Sequence, residues 1–210
     1  MNRVIIINGS PKKKDSTSGR LIEALENIMG RKLEKYHALS LLHEENYTNI
    51  MQADTIVVVF PLYVDALPSH LLRLLLRLEA YKKTLPYKPR LFAVCVCGFS
   101  EGSQTRTALH IMRNFAGRAG FHWRYGVGIG GGGVVAGVKN MVKGPGADIH
   151  TALCRLAGDI EKKGEETSED VFVEPKMPKF LYRMGGNMGW HELAKANGVR
   201  GRMRDKPMNI

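Results

Sequence analysis

Residues 7–25 read "INGSPKKKDSTSGRLIEAL", and the reading of this stretch decides the fold. It continues "RVIIIN" (3–8), an apolar run of the kind that forms a buried strand, and leads into a helix with apolar residues at Leu21, Ile22, Leu25 and Ile28. The connection between them is crowded with a proline, lysines and hydroxyl side chains, which turning a corner does not require. Gly9 permits a sharp turn, and Ser10, Ser16, Thr17 and Ser18 offer hydroxyl groups. The helix beyond offers free N–H groups and the positive end of its dipole. Lys12, Lys13 and Lys14 add positive charge. Together these suit a terminal phosphate monoester. Helix capping by Asp15, Ser16 or Thr17, with the lysines in water, is the structural alternative, but capping needs only one such residue.

The pattern set by this stretch repeats. A weaker strand is expected at 33–39, a short helix at 46–54, and a continuous apolar strand "TIVVVF" at 55–60. A leucine-rich helix follows at 67–83, then a strand at 90–97, a helix at 103–120, a strand at 122–130 and a helix at 147–163. Five strands separated by helices make a doubly wound α/β domain with a parallel sheet and right-handed crossovers. The chain is expected to divide into a domain at 1–164 and an extension at 165–210. The extension holds apolar anchors at Leu181, Met184, Met188, Trp190 and Leu193, too few for a core of its own, so it is expected to pack on its domain or on a partner subunit. A homodimer is the expectation.

In open α/β sheets ligands bind outside the carboxyl ends of the strands. Besides the first loop, two others leave those ends. "FPLYVDALPSHL" (60–71) is framed by Pro61 and Pro68, which restrict the backbone. Between them Tyr63 offers a flat face and a hydroxyl, and the amides of 62–65 offer donors. "CGFSEGSQT" (97–105) brings two glycines and further hydroxyl groups. The first loop lacks the G-x-G-x-x-G of a dinucleotide site and the G-K-[ST] of a Walker loop. A phosphate cup without a marked pyrophosphate place points to a mononucleotide such as FMN.

"NGSPKKKDSTSGRLIEAL" followed by "PLYVDALPSHLLRLL" resembles the flavodoxin-like NAD(P)H-dependent FMN reductases and related quinone and azo reductases. The resemblance covers 1–164 by order of elements, with the first two loops matching as motifs. It implies a flavodoxin-like five-stranded sheet in the order 2-1-3-4-5 with a C-terminal helical extension. It also implies that Ser10, Lys12, Ser16, Thr17 and Ser18 hold the FMN phosphate. Pro61, Leu62, Tyr63, Val64 and Asp65 would lie beside the isoalloxazine, and Gly98, Phe99, Ser100 and Ser103 would meet its other side. Lys12 stands where the family often has arginine, keeping charge but losing the planar fork. The implied activity passes hydride from a nicotinamide of NAD(P)H to the flavin N5 and on to a quinone, flavin or similar small acceptor. Tyr63 is the residue expected to touch the stacked substrate. An electron carrier without substrate turnover, or a non-enzymatic binding protein on the same fold, are the alternatives.

The remaining features are less telling. A formal charge of +11 suits phosphate-bearing ligands, yet no nucleic-acid-binding motif accompanies it. Carriers of the flavodoxin kind are usually acidic, which weighs against that alternative. Cys95 and Cys97 alternate on one strand as buried small hydrophobes, and with Cys154 they do not match the compact cysteine group of iron–sulfur relatives, so no metal or cluster is expected. The seven histidines are scattered and each is expected at the surface or in a cap. "GVGIGGGG" (126–133) matches G-x-G-x-x-G twice, but after the last strand and before a β-branched, glycine-broken stretch. It reads as a flexible loop near the flavin edge that shapes the substrate pocket. No apolar run approaches the roughly 18 residues of a membrane span and no signal peptide is visible, so a cytoplasmic protein is expected.

Overall fold

Consecutive β-branched residues at Val4–Ile7 and Ile56–Val59 have no polar face to present, so both sides of these strands must be covered. In the computed structural model, which describes residues 2–40, 44–81, 88–138, 140–162, 164, 166–203 and 205, helices cover them. The elements run β1 (Val4–Asn8), α1 (Thr17–Met29), β2 (Glu34–His37), α2 (Glu44–Met51), β3 (Thr55–Pro61), α3 (Ser69–Ala80), β4 (Arg90–Val96), α4 (Arg106–Ala119), β5 (His122–Ile129), α5 (Gly132–Gly137), α6 (Ala147–Glu161), β6 (Val171–Val173) and α7 (Lys179–Ala196). The ends of the helices expected at 67–83 and 147–163 include positions outside the described residues.

The strands form one parallel sheet in the order β2-β1-β3-β4-β5-β6. Alternation splits the core into two layers. Ile5, Ile7, Ile56, Val58 and Phe60 pack with Leu71, Leu75 and Met112 of α3 and α4 on one face. Val4, Ile6, Val57, Val59 and Val94 pack with Leu21, Leu25, Leu153 and Leu156 of α1 and α6 on the other. The five expected strands and their order are present, with one addition. β6 lies on the outer edge of β5, pairing Val127, Gly128 and Ile129 with Val171, Phe172 and Val173. Asp170 Oδ1 accepts from the Gly126 amide at 2.7 Å, and Thr167 Oγ1 donates to the Trp123 carbonyl at 2.9 Å. Most of the stretch 166–176 thereby runs along β5 inside the first compact unit, Met1–Lys176.

Two buried charged side chains lock helix ends. Arg90, at the start of β4, donates to the carbonyls of Asp159, Ile160 and Lys162 at the end of α6 and to Thr55 Oγ1, where a cation suits the helix dipole. Glu26, near the end of α1, is buried and accepts from the Leu33 amide at 2.9 Å and from Lys32 and Lys35 at 3.2 and 3.0 Å. Burial alone would raise its pKa, but the Leu33 amide and the two ammonium groups together outweigh it and hold the carboxyl below its usual range. Glu26→Ala is expected to lower stability by about 1–3 kcal/mol at neutral pH, since the Leu33 amide loses its partner. Because the folded pKa is depressed, this contribution is present above the unfolded carboxyl's pKa of about 4.3 and fades as pH falls through the folded one. Urea unfolding of both proteins at neutral and acid pH measures it.

The second unit, Met177–Ile210, is built on α7 and a 3-10 turn at Arg200–Arg202. Phe180, Met184, Met188, Trp190 and Leu193 are all exposed on the chain taken alone. No described helix is long and apolar enough to cross a membrane.

Candidate functional site

The order in which strands are added to the sheet reverses between β1 and β3, whose carboxyl ends are neighbours. The loops after β1, β3 and β4, together with the start of α5, meet there around a cavity of about 340 Å3, within the range of small-molecule and cofactor sites. Ser10, Lys12, Asp15, Ser16, Thr17 and Ser18 form one wall. Pro61, Leu62 and Tyr63 form a second, and Val96, Cys97 and Gly98 a third, with Gly132, Gly133 and Ala136 of α5 closing it.

The first wall is fixed bond by bond. Gly9 lies tight against Leu71 and Phe60, where an added Cβ would sit 2.8 Å from each, and its amide donates to the Val59 carbonyl at 2.8 Å. The Ser10 amide donates to Asn8 Oδ1 at 3.0 Å, and Ser10 Oγ accepts from the Lys12 amide at 3.1 Å, leaving the Ser10 hydroxyl proton free to donate. Ser16 caps α1, its Oγ accepting from the Gly19 amide at 3.0 Å. Capping therefore consumes one hydroxyl of the four. Ser18 is the telling one: its Oγ is buried and has no hydrogen-bond partner among the described residues, a costly state unless a ligand completes it. Lys12, Lys13 and Lys14 are exposed and make no ion pair among the described residues. A buried donor, a free hydroxyl proton, a helix start and three free ammonium groups are the donor set a phosphate monoester requires.

The second wall is a tight hairpin. Tyr63 and Ala66 exchange both backbone bonds at 3.0 Å, with Val64 and Asp65 at φ 49° and 60° between them. Two positive φ values make this a mirror-image turn that ordinarily takes Asn-Gly, and valine there is strained. Tyr63 is half exposed and Val64 is 98% exposed. Of the amides expected to serve a ligand edge, those of Leu62 and Tyr63 are already taken, by Val96 and Ala66 carbonyls. Those of Val64 and Asp65 have no backbone partner among the described residues, but their side chains stand at the tip rather than in the cavity lining.

In the third loop Gly98 lines the cavity, whereas Phe99 is largely exposed, Ser100 Oγ bonds Glu101 Oε2 at 2.6 Å, and Ser103 is exposed in a 3-10 turn. Cys97, buried at the cavity wall, directs its thiol to the Phe99 and Glu101 carbonyls at 3.8 and 3.4 Å, and burial pushes its pKa up. Cys97 was expected only as core.

The run 126–133 departs most from expectation. Gly126 and Gly128 are inside β5, and Gly132 and Gly133 open helix α5. It is close-packed, not a flexible loop: an added Cβ at Gly130 would lie 2.1 Å from the Ser100 carbonyl oxygen, and one at Gly128 would lie 2.1 Å from Thr105 Oγ1. Its end does reach the cavity, through Gly132 and Gly133. Two histidines expected at the surface or in a cap contact the backbone of the first loop. His70 Nε2 lies 3.1 Å from the Gly9 carbonyl, and His37 Nε2 lies 3.3 Å from that of Lys12. Among the described residues no group of three or more His, Cys, Asp or Glu is placed to hold a metal ion.

No protein-family model matches the chain, and no curated protein does. Solved structures match over most of it. The Trp repressor binding protein from Bacillus subtilis is similar at 16% identity over 77% of this chain and 99% of its own, with a TM-score of 0.57. An NAD(P)H:quinone oxidoreductase from Methanothermobacter marburgensis matches at 15% identity, covering 79% and 100%, with a TM-score of 0.56. An FMN-dependent NADH-azoreductase from Bacillus anthracis, solved in complex with FMN, matches at 14% identity, covering 77% and 100%, with a TM-score of 0.52. With the strand order 2-1-3-4-5 and every described pairing parallel, these likenesses establish the fold as flavodoxin-like.

Proposed function

We propose that the chain is an FMN-dependent NAD(P)H oxidoreductase that delivers a hydride from a nicotinamide to a quinone, flavin or similar small acceptor. The observation that carries this reading is the buried, unpartnered Ser18 hydroxyl at the start of α1, facing the β1/β3 switch point where a flavodoxin-like sheet takes its mononucleotide. Ser10, Thr17 and Ser18, with the N–H groups of the first turn and the lysine charges, would hold the phosphate. Ser16 serves the helix. The ring would lie between the Pro61–Tyr63 wall and the Cys97–Gly98 wall, above Gly132 and Gly133. Bound FMN supplies the hydride chemistry; the protein places the reactants and keeps water from the ring's buried face. Tyr63, half exposed at the mouth, is placed to cover the stacked substrate. Similar structures, an NAD(P)H:quinone oxidoreductase and an FMN-dependent NADH-azoreductase, support the reaction class. A homodimer in the cytoplasm, joined through the exposed apolar side chains of α7, completes the reading.

The purified protein is expected to be yellow or to become so with added FMN, and to bleach under anaerobic NADH or NADPH without a partner protein. Bound FMN that no nicotinamide bleaches makes it an electron carrier instead. Failure to take up FMN in excess removes the reading altogether.

A further inference from the structure

An anion site needs its donors turned inward and its acceptors held away. Between Gly9 and Lys12 the loop carries backbone carbonyls that would repel a phosphate if they turned toward it. Two of them are engaged, each by an imidazole from a different element. His70, in the first turn of α3, donates Nε2–H to the Gly9 carbonyl at 3.1 Å. His37, the last residue of β2, donates Nε2–H to the Lys12 carbonyl at 3.3 Å. A carbonyl can only accept, so both rings carry the proton on Nε2. The Nδ1 of His37 in turn accepts from the Leu39 amide at 3.3 Å, which fixes that ring as the neutral tautomer. Burial lowers the pKa of His70, which favours its neutral form. The two rings therefore contribute geometry rather than charge.

Resting on the proposed FMN site, we infer that His37 and His70 are a paired clamp on the phosphate loop, positioning residues that hold the Gly9 and Lys12 carbonyls away from a phosphate monoester bound against the loop and α1. The elements that bear them flank β1 differently: β2 is its sheet neighbour, with Asn8 opposite His37, and α3 packs on Gly9 through Leu71. The two elements meet beside the loop, where Leu39 and His70 line one small pocket, so the clamp joins two separate elements to it. Neither ring lines the cavity itself, so neither is a catalytic residue.

The test is the affinity of the full chain for FMN and for riboflavin, read by quenching of flavin fluorescence, in wild type and in His37→Leu, His70→Leu and the double variant. Each hydrogen bond removed is expected to weaken FMN binding about tenfold, with riboflavin affinity unchanged. His37→Gln and His70→Gln, whose side-chain amides place a donor near the lost Nε2–H, are expected to recover most of the FMN affinity. A purely structural role would weaken both flavins alike and would not be rescued, and that result overturns the clamp. A wild type that prefers FMN, with leucine variants that prefer it equally, also overturns the clamp while leaving the FMN site standing. A wild type that takes up neither flavin overturns the site and the clamp with it.

Discussion

FMN is expected to bind at least about a hundredfold tighter than riboflavin, which shares its ring and ribityl chain and lacks only the phosphate. Hydrogen bonds to a charged group contribute about 1.5–3 kcal/mol each, and 1.4 kcal/mol is a factor of ten in affinity. Two such bonds, from the Ser18 and Ser10 hydroxyls, already suffice, before the helix start and Lys12–Lys14 are added. Ser18→Ala should narrow the gap about tenfold by weakening FMN alone, because the buried hydroxyl has no partner to lose within the protein. Ser16→Ala should act differently, destabilising α1 by about 1 kcal/mol through its lost cap. Calorimetric titration with the two flavins gives the ratio directly. Equal affinities would mean that the crowded hydroxyl groups serve no anion.

The second large effect lies in the glycine run. Gly130→Ala is expected to lower stability by about 3 kcal/mol, the upper end for overpacking, because its Cβ would meet the backbone: the Ser100 oxygen at 2.1 Å and the Gly102 nitrogen at 2.7 Å. For a chain of this size that is a fall in Tm of about 6–12 °C. Gly117→Ala is the matched contrast. Gly117 sits inside α4 with nothing within 4 Å of an added Cβ, so alanine there should stabilise by about 0.5–1 kcal/mol. If thermal melts place the two variants together, the close approach of the β4 loop to β5 is not what demands glycine.

What the sequence conveyed depended on how far apart the cooperating residues lie. β1, β3 and β4 were legible because a run such as "TIVVVF" leaves no polar face, and α1 because its apolar positions recur at helical spacing beside a serine cap. The first wall of the cavity was legible for the same local reason: all its residues fall within 10–18. β6 was not, since three residues after a polar stretch carry no period, and it becomes a strand only because β5 offers an open edge. Nor was α5, whose glycines argue against a helix, although Gly132 is pressed close to the Cys97 carbonyl. Cys97, another lining residue, read as core because burial and cavity wall call for the same apolar strand end. The histidines were invisible as loop partners: His70 is 61 residues from Gly9, and His37 is 25 from Lys12.

The three-residue strand β6 also settles how this sheet can meet its own copies. It pairs with Val127, Gly128 and Ile129 on the outer edge of β5, and Pro175, lacking an amide hydrogen, follows two residues after it. At the opposite margin β2 is four residues long and carries Glu34 and Lys35. Both margins are short and punctuated, which disfavours templating a neighbouring strand, so the folded chain offers little purchase for ribbon-like growth through main-chain ladders.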